Sequence, residues 1–258
     1  MSVSGGPDIV EDGLVTYIDA GNPKCYPGTG TTVYNLVNPN ETGSNNGSRN
    51  FPTFTNDNLG NFYFNNNVIE VQCDVSGTVA ASSGYTIEAW CNRYGDGGGA
   101  GQILVYIPNA IDSGDGGGDE KESHLDADSN DAAGQFGFFT EGTTSPDDIR
   151  LTSSVTGSFG NNNSGSWYHV CSTLGGMNGP VTPATASLYV NGQLQEAISK
   201  NSITRNEFTG SFIRISGPQV ASYRDYHGDL AVVKIYNKAL SEQEVLQNFN
   251  ALRGRFGI

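Results

Sequence analysis

What most constrains this chain is a long succession of short apolar or alternating runs, each closed by turn-forming residues. Gly13-Leu-Val-Thr-Tyr-Ile-Asp-Ala20, Asn61-Phe-Tyr-Phe64, Val68-Ile-Glu-Val-Gln-Cys73, Tyr85-Thr-Ile-Glu-Ala-Trp-Cys91 and Gln102-Ile-Leu-Val-Tyr-Ile107 occupy the first part. Similar runs follow at 135–139, 149–152, 167–174, 186–190, 212–215 and 230–236. Runs of this length with period two are strands, and the Gly, Asn, Asp and Pro between them are turn signals. Many short strands in sequence predict an all-β fold, a sandwich or barrel of antiparallel sheets.

Two local signals refine this. Asn191-Gly192, between 187–190 and Gln193-Leu194, suits the positive φ pair of a tight hairpin. The one helix signal starts at Ser241, which forms a capping box with Glu244, while Leu240 is placed to staple onto Val245. Val245, Leu246, Phe249 and Leu252 form its expected apolar face, and the glycines of the last six residues supply its C-cap. Residues 38–50 read as a polar loop, and residues 112–131 as a long acidic Gly/Asp-rich insertion between two strands. At 258 residues the chain reads as a single domain over 1–258.

Charge narrows the partners. With 27 Asp plus Glu against 13 Lys plus Arg, a formal charge of −14 disfavours nucleic acid and an anionic bilayer, and no apolar run is long enough for membrane insertion. No signal peptide is legible at the start, so synthesis in a cytoplasm is expected. Cys73, Cys91 and Cys171 lie in strand-like runs as small hydrophobes, whereas Cys25, in a Pro- and Gly-rich loop, is the candidate for reactivity.

Several segments resemble the laminin-G-like or concanavalin A-like lectin/glucanase domains, of the type found in tailed-phage (cyanophage-like) virion structural proteins. They are Gly13-Leu-Val-Thr-Tyr-Ile-Asp-Ala-Gly-Asn-Pro-Lys24, Tyr85-Thr-Ile-Glu-Ala-Trp90, Trp167-Tyr-His-Val170, Leu188-Tyr-Val-Asn-Gly-Gln193 and Ile235-Tyr-Asn-Lys-Ala-Leu-Ser241. The resemblance implies a two-sheet antiparallel jelly-roll sandwich with one short C-terminal helix. It also implies a non-enzymatic virion structural protein: a capsid decoration, knob or tail-fibre component on the virion surface. Its partners would be other virion proteins, copies of itself and host surface glycans. The alternative is a carbohydrate-binding lectin module without a structural role, and a third reading is a glycoside hydrolase.

Glucanases of this fold need paired carboxylates on one strand face, Glu-x-Asp-x-x-Glu, and no Glu-x-Asp occurs here. His169 lacks a Gly-x-Ser-x-Gly partner and reads as an ordinary strand residue, so no catalytic residue is expected. Asp126-Ala-Asp-Ser-Asn130 opens like a calcium loop, but Asp131 and Gly137 stand where an EF-hand needs Gly and Glu. A looser calcium site of Asp112, Asp115, Asp119, Asp126 and Asp128 stays open, beside a solvated acidic loop or a basic protein neighbour. For glycans, alternation places Trp90 and Glu88 together on an outer or loop-covered strand face. Tyr94, Tyr223 and Tyr226, in loop-like stretches, are further candidates.

Overall fold

A computed structural model describes residues 7–75, 84–94, 101–108, 123–128, 134–140, 148–156, 165–175, 184–201, 210–217 and 224–258. The strands in its first half are β1 Leu14–Asp19, β2 Val33–Tyr34, β3 Thr42–Ser44, β4 Thr53–Thr55, β5 Asn61–Asn65, β6 Ile69–Gln72, β7 Tyr85–Arg93 and β8 Gln102–Ile107. Those in its second half are β9 Ser123–Asp128, β10 Gln135–Thr140, β11 Ile149–Thr156, β12 Tyr168–Gly175, β13 Ala184–Val190, β14 Gln193–Lys200, β15 Phe212–Ile215 and β16 His227–Tyr236. A 3-10 turn, Asp57–Leu59, precedes β5, and one long helix, α1 Glu242–Phe256, follows β16.

The strands form two antiparallel sheets. Sheet A runs β14-β13-β12-β7-β16-β5-β4, with β1 also pairing with β16. Sheet B runs β11-β10-β9-β8-β15-β6-β3-β2. Leu230 of β16 faces Phe62 of β5, while Val232 to Tyr236 pair with β1, so two strands share one edge of β16. The core lies between the sheets. In β7, Tyr85, Ile87, Ala89 and Cys91 point inward, and from sheet B they meet residues such as Val105, Leu125, Phe138 and Ile213. This is the expected sandwich, with its layers sealed by alternating apolar side chains.

The outer face of sheet A is sealed by α1. Ser241 and Glu244 form the expected capping box, and Gly257 ends the helix at φ 73°. The Trp90 indole stacks on Phe256 at 4.3 Å and 16°, and on Phe249 at 5.8 Å and 9°. Beneath the helix lies a charged network in which Glu88 pairs with Lys234 while Asn248 donates to Glu88 at 2.8 Å and to the Tyr236 hydroxyl at 2.9 Å. Asn248 also accepts from the Val10 amide at 2.8 Å, which ties the helix to the segment before β1. Burial works against the Glu88 charge, but Lys234 and then His169 outweigh it and hold the carboxyl well below the usual range.

Four expectations need correction. Residues 42–44, inside the supposed polar loop 38–50, form β3, because Gly43 lets the chain lie against Val71 of β6. The supposed insertion contains β9, an interior strand whose Leu125 and Ala127 enter the core; the acidic and His positions on its other face masked that alternation. Cys25 is buried, like the other three free thiols, and burial pushes its pKa up to about 11, which opposes reactivity. On α1 the exposed Leu246 gives way to Asn248, buried because it serves the Glu88 network. Among the described residues no helix is long and apolar enough to cross a membrane.

Candidate functional site

Beyond its C-terminal end, α1 does not extend over the outer face of sheet A, and there the described residues form a cleft of about 450 Å³. Its floor is one cross-strand row: Thr53 faces Tyr63, Tyr63 faces Asp229, and Asp229 faces Asn92. Strand alternation sets this row outward, since Phe62, Phe64, Leu230 and Cys91 fill the core from the same strands. Thr55, Asp57, Asn58 and Tyr94 complete the wall.

The lining mixes aromatic and hydrogen-bonding groups. Tyr63 is half-buried, with its ring 5.9 Å from Tyr94 and 5.9 Å from His227. Its hydroxyl lies 3.1 Å from His227 Nε2. The Tyr94 hydroxyl donates to the Asp229 carboxylate. Burial pushes the Asp229 pKa up to about 6; the Tyr94 hydrogen bond opposes this and Asp57 adds to it. Burial, then Arg93, lowers the pKa of His227, so its ring is neutral at neutral pH. Asn92, with its amide oriented to satisfy both, donates to the Gly165 and Ser166 carbonyls at 3.3 and 3.2 Å.

The cleft is braced from behind and at its rim. Gly228 sits with φ +152°, and a Cβ there would come within 2.3 Å of the Asn92 carbonyl, so β16 approaches β7 closely under Asp229. Tyr226 donates to the Asp229 carbonyl at 2.9 Å. At the rim, Asn58 and Leu59 hold left-handed backbone at φ 50° and 63°, a conformation that costs free energy for non-glycine residues. Arg255, from the last turn of α1, clamps this turn: Nε donates to Asn58 O at 2.8 Å and Nη2 to Gly60 O at 2.6 Å. Its Nη1 donates to Asp19 at 2.8 Å.

Of the expected glycan residues, Tyr94 lines the cleft and Tyr226 supports it from the core. Trp90 and Glu88 do share the outer face of β7, but α1 rather than a loop covers them and both are fully buried. They form no open platform. Tyr223 lies outside the described residues, as do Asp112, Asp115 and Asp119. Asp126 and Asp128 belong to β9, and the Asp126 carboxylate is 2.8 Å from His124 Nδ1. Among the described residues no group of three or more His, Cys, Asp or Glu side chains could hold a metal ion. His169 is buried in β12, 3.6 Å from Glu88. Tyr63 and Asp229 were missed, although an outward tyrosine between Phe62 and Phe64 is visible in the alternation.

Sheet B carries a second outward row: Glu70, Arg214, Tyr106, His124, Phe139 and Arg150, each facing the next in register. Arg224 donates to His124 Nε2 at 2.9 Å, which puts the imidazole proton on Nδ1, toward Asp126. The four middle members are buried. The cleft on sheet A is, by contrast, an open site, and its volume and mixed lining suit a small polar ligand.

The sandwich has counterparts among solved structures. The binding domain of Paraclostridial Mosquitocidal Protein 1 is 18% identical, with TM-score 0.62, over 93% of this chain and 52% of that one. Trypanosoma rangeli sialidase is 16% identical, with TM-score 0.62, over 97% of this chain and 34% of that one. Domain 4 of AbnA, an extracellular arabinanase from Geobacillus stearothermophilus, is 13% identical, with TM-score 0.56, over 93% of this chain and 100% of that one. At these identities the likeness shows the fold alone, and the chain spans about half the length of the first structure and a third of the second. No curated protein matches the sequence. The family model described as the Concanavalin A-like lectin/glucanases superfamily matches residues 65–246. That match covers most of the chain and takes in both sheets, and the chain accordingly belongs to the concanavalin A-like lectin/glucanases superfamily, as a laminin-G-like domain.

Proposed function

We propose that this domain is a carbohydrate-binding module and that the cleft on sheet A is where the glycan sits. The observation that carries the reading is the row Thr53, Tyr63, Asp229 and Asn92, which sets an aromatic ring beside hydroxyl, carboxylate and amide groups in one open cleft. A sugar ring offers an apolar C–H face and a rim of hydroxyls, so it needs both kinds of contact. The neighbours in fold space support the same class of ligand: the arabinanase domain was solved in complex with arabinotriose, and cell entry of botulinum neurotoxin type C, which shares the fold, depends on interaction with ganglioside molecules. A glycan array tests it directly. Binding by the native protein that Tyr63→Ala weakens at least tenfold is expected; a blank array across neutral, amino and acidic glycans contradicts it.

Recognition without catalysis is part of the proposal. Among the described residues the cleft does hold two carboxylates, Asp57 and Asp229, the second with a raised pKa, as a general acid requires. Tyr94 nevertheless donates to the Asp229 carboxylate, so this group is already engaged within the protein. Release of reducing ends from any glycan that the array identifies would replace binding with hydrolysis. The place on a virion surface, with virion proteins as partners, rests on the sequence resemblance alone. There the module would attach a particle to a host glycan, and imaging of the particle tests it.

A further inference from the structure

Among the described residues that line the cleft, the groups that carry charge at neutral pH are both acids. Asp57 and Asp229 are the two carboxylates among the described residues of the lining, and no lysine or arginine is among them. The cations nearby are turned to other work. Arg255 stands behind the 57–60 turn with its guanidinium bonded to Asn58 O, Gly60 O and Asp19. Arg93 follows Asn92 on β7, so alternation sends its side chain to the opposite face. His227, at the edge of the Tyr63 ring, is neutral at neutral pH. The chain as a whole carries −14, which adds repulsion for anions at longer range.

From this arrangement we infer that the cleft selects sugars without negative charge and that a protonated amino sugar gains further from Asp57 and Asp229. The inference rests on the carbohydrate reading of the same cleft and deepens it. A carboxylate, sulfate or phosphate on the ligand would enter a partly desolvated space whose fixed charges repel it, with no donor cation among the described lining residues to offset the loss of its hydration. Recognition of an acidic sugar calls for arginine or lysine donors in the site. A neutral hexose needs only the hydroxyl, amide and ring contacts that the row supplies. An ammonium group would find two carboxylates, one exposed at Asp57 and one half-buried at Asp229.

The experiment is a charge-sorted glycan array on the intact protein and on Tyr63→Ala, followed by titration calorimetry with trimers of glucosamine and of N-acetylglucosamine and with 3′-sialyllactose. Every glycan whose signal falls at least tenfold in Tyr63→Ala is expected to be neutral or cationic. The glucosamine trimer is expected to bind more tightly than its acetylated form, and to lose at least threefold more affinity than that form in Asp57→Asn. An acidic glycan among the Tyr63-dependent ligands, or sialyllactose binding as tightly as the neutral trimer, overturns the charge selection and leaves carbohydrate binding standing. An equal response of both trimers to Asp57→Asn overturns the amino-sugar preference. Loss of Tyr63-dependent signal for every class would remove the carbohydrate reading itself, and the charge selection with it.

Discussion

Tyr63 and Asp229 face each other directly across β5 and β16, so that an outward aromatic ring and a carboxylate of raised pKa share the floor of one open cleft. The neighbours of both residues along their strands, Phe62, Phe64 and Leu230, are core residues. The outward pair can therefore change with little effect on the fold.

Tyr63→Ala is expected to weaken glycan binding at least tenfold, about 1.4 kcal/mol or more. Its ring touches Tyr94 and His227 but not the inter-sheet core, so the stability cost is expected to stay below about 2 kcal/mol. Calorimetry and a thermal melt on the same sample measure both; a large melting shift without a change in affinity contradicts the assignment.

Arg255 positions the rim rather than touching the ligand. Its fork spans three oxygens, on Asn58, Gly60 and Asp19, a pattern that the single ammonium of lysine cannot reproduce. Arg255→Ala and Arg255→Lys are both expected to weaken glycan binding severalfold. Faster amide hydrogen exchange confined to residues 57–60 should accompany the loss, and unchanged exchange there would dismiss the clamp.

Two acids, Asp225 buried and Asp229 half-buried, set the pH response above pH 4. Burial raises the pKa of both Asp229 and Asp225 to about 6, above the unfolded value near 3.9. The stability linked to these groups is full below the unfolded pKa and is lost as pH rises through about 6. The melting temperature is expected to climb as pH falls from 7.5 to 5, with a shallower climb in Asp229→Asn. Glu88 acts in the opposite sense. Its folded pKa is lowered, so its contribution is present above about pH 4.5 and disappears as the solution becomes more acidic. A profile that is flat from 7.5 to 5, or unaltered by Asp229→Asn, would refute the assignment.

Lys234 is the buried partner of Glu88 beneath α1. Lys234→Met leaves the carboxylate without its cation and is expected to destabilise the protein by about 3–5 kcal/mol. Adding Glu88→Gln to that variant should restore much of the loss, because the amide carries no charge and still accepts from Asn248. Chemical denaturation of the single and double variants measures the coupling; additive losses would show that the pair is not a unit.

Much of the sandwich was legible because its strands alternate cleanly. β7 shows Ile87, Ala89 and Cys91 on one side and Glu88 and Trp90 on the other, and the helix start at Ser241 carries its own cap. What alternation does not encode is which outer face a distant element covers. Trp90 and Glu88 were assigned to the correct face, but their burial depends on Phe249, Phe256 and Asn248, more than 150 residues away along the chain. The cleft eluded the sequence for the same reason. Its row draws on β4, β5, β16 and β7, whose adjacency follows from topology and not from local pattern. β9 was hidden by composition, since Asp and His on its outer side outweighed the signal from Leu125 and Ala127.

The most direct measurement is a backbone amide NMR titration with the strongest ligand from the array. The largest shifts are expected at Thr53, Tyr63, Asn92 and Asp229, the four residues of the cleft floor. Shifts confined instead to Tyr106, His124 and Phe139 on sheet B would place the glycan on the opposite face and contradict the site described above.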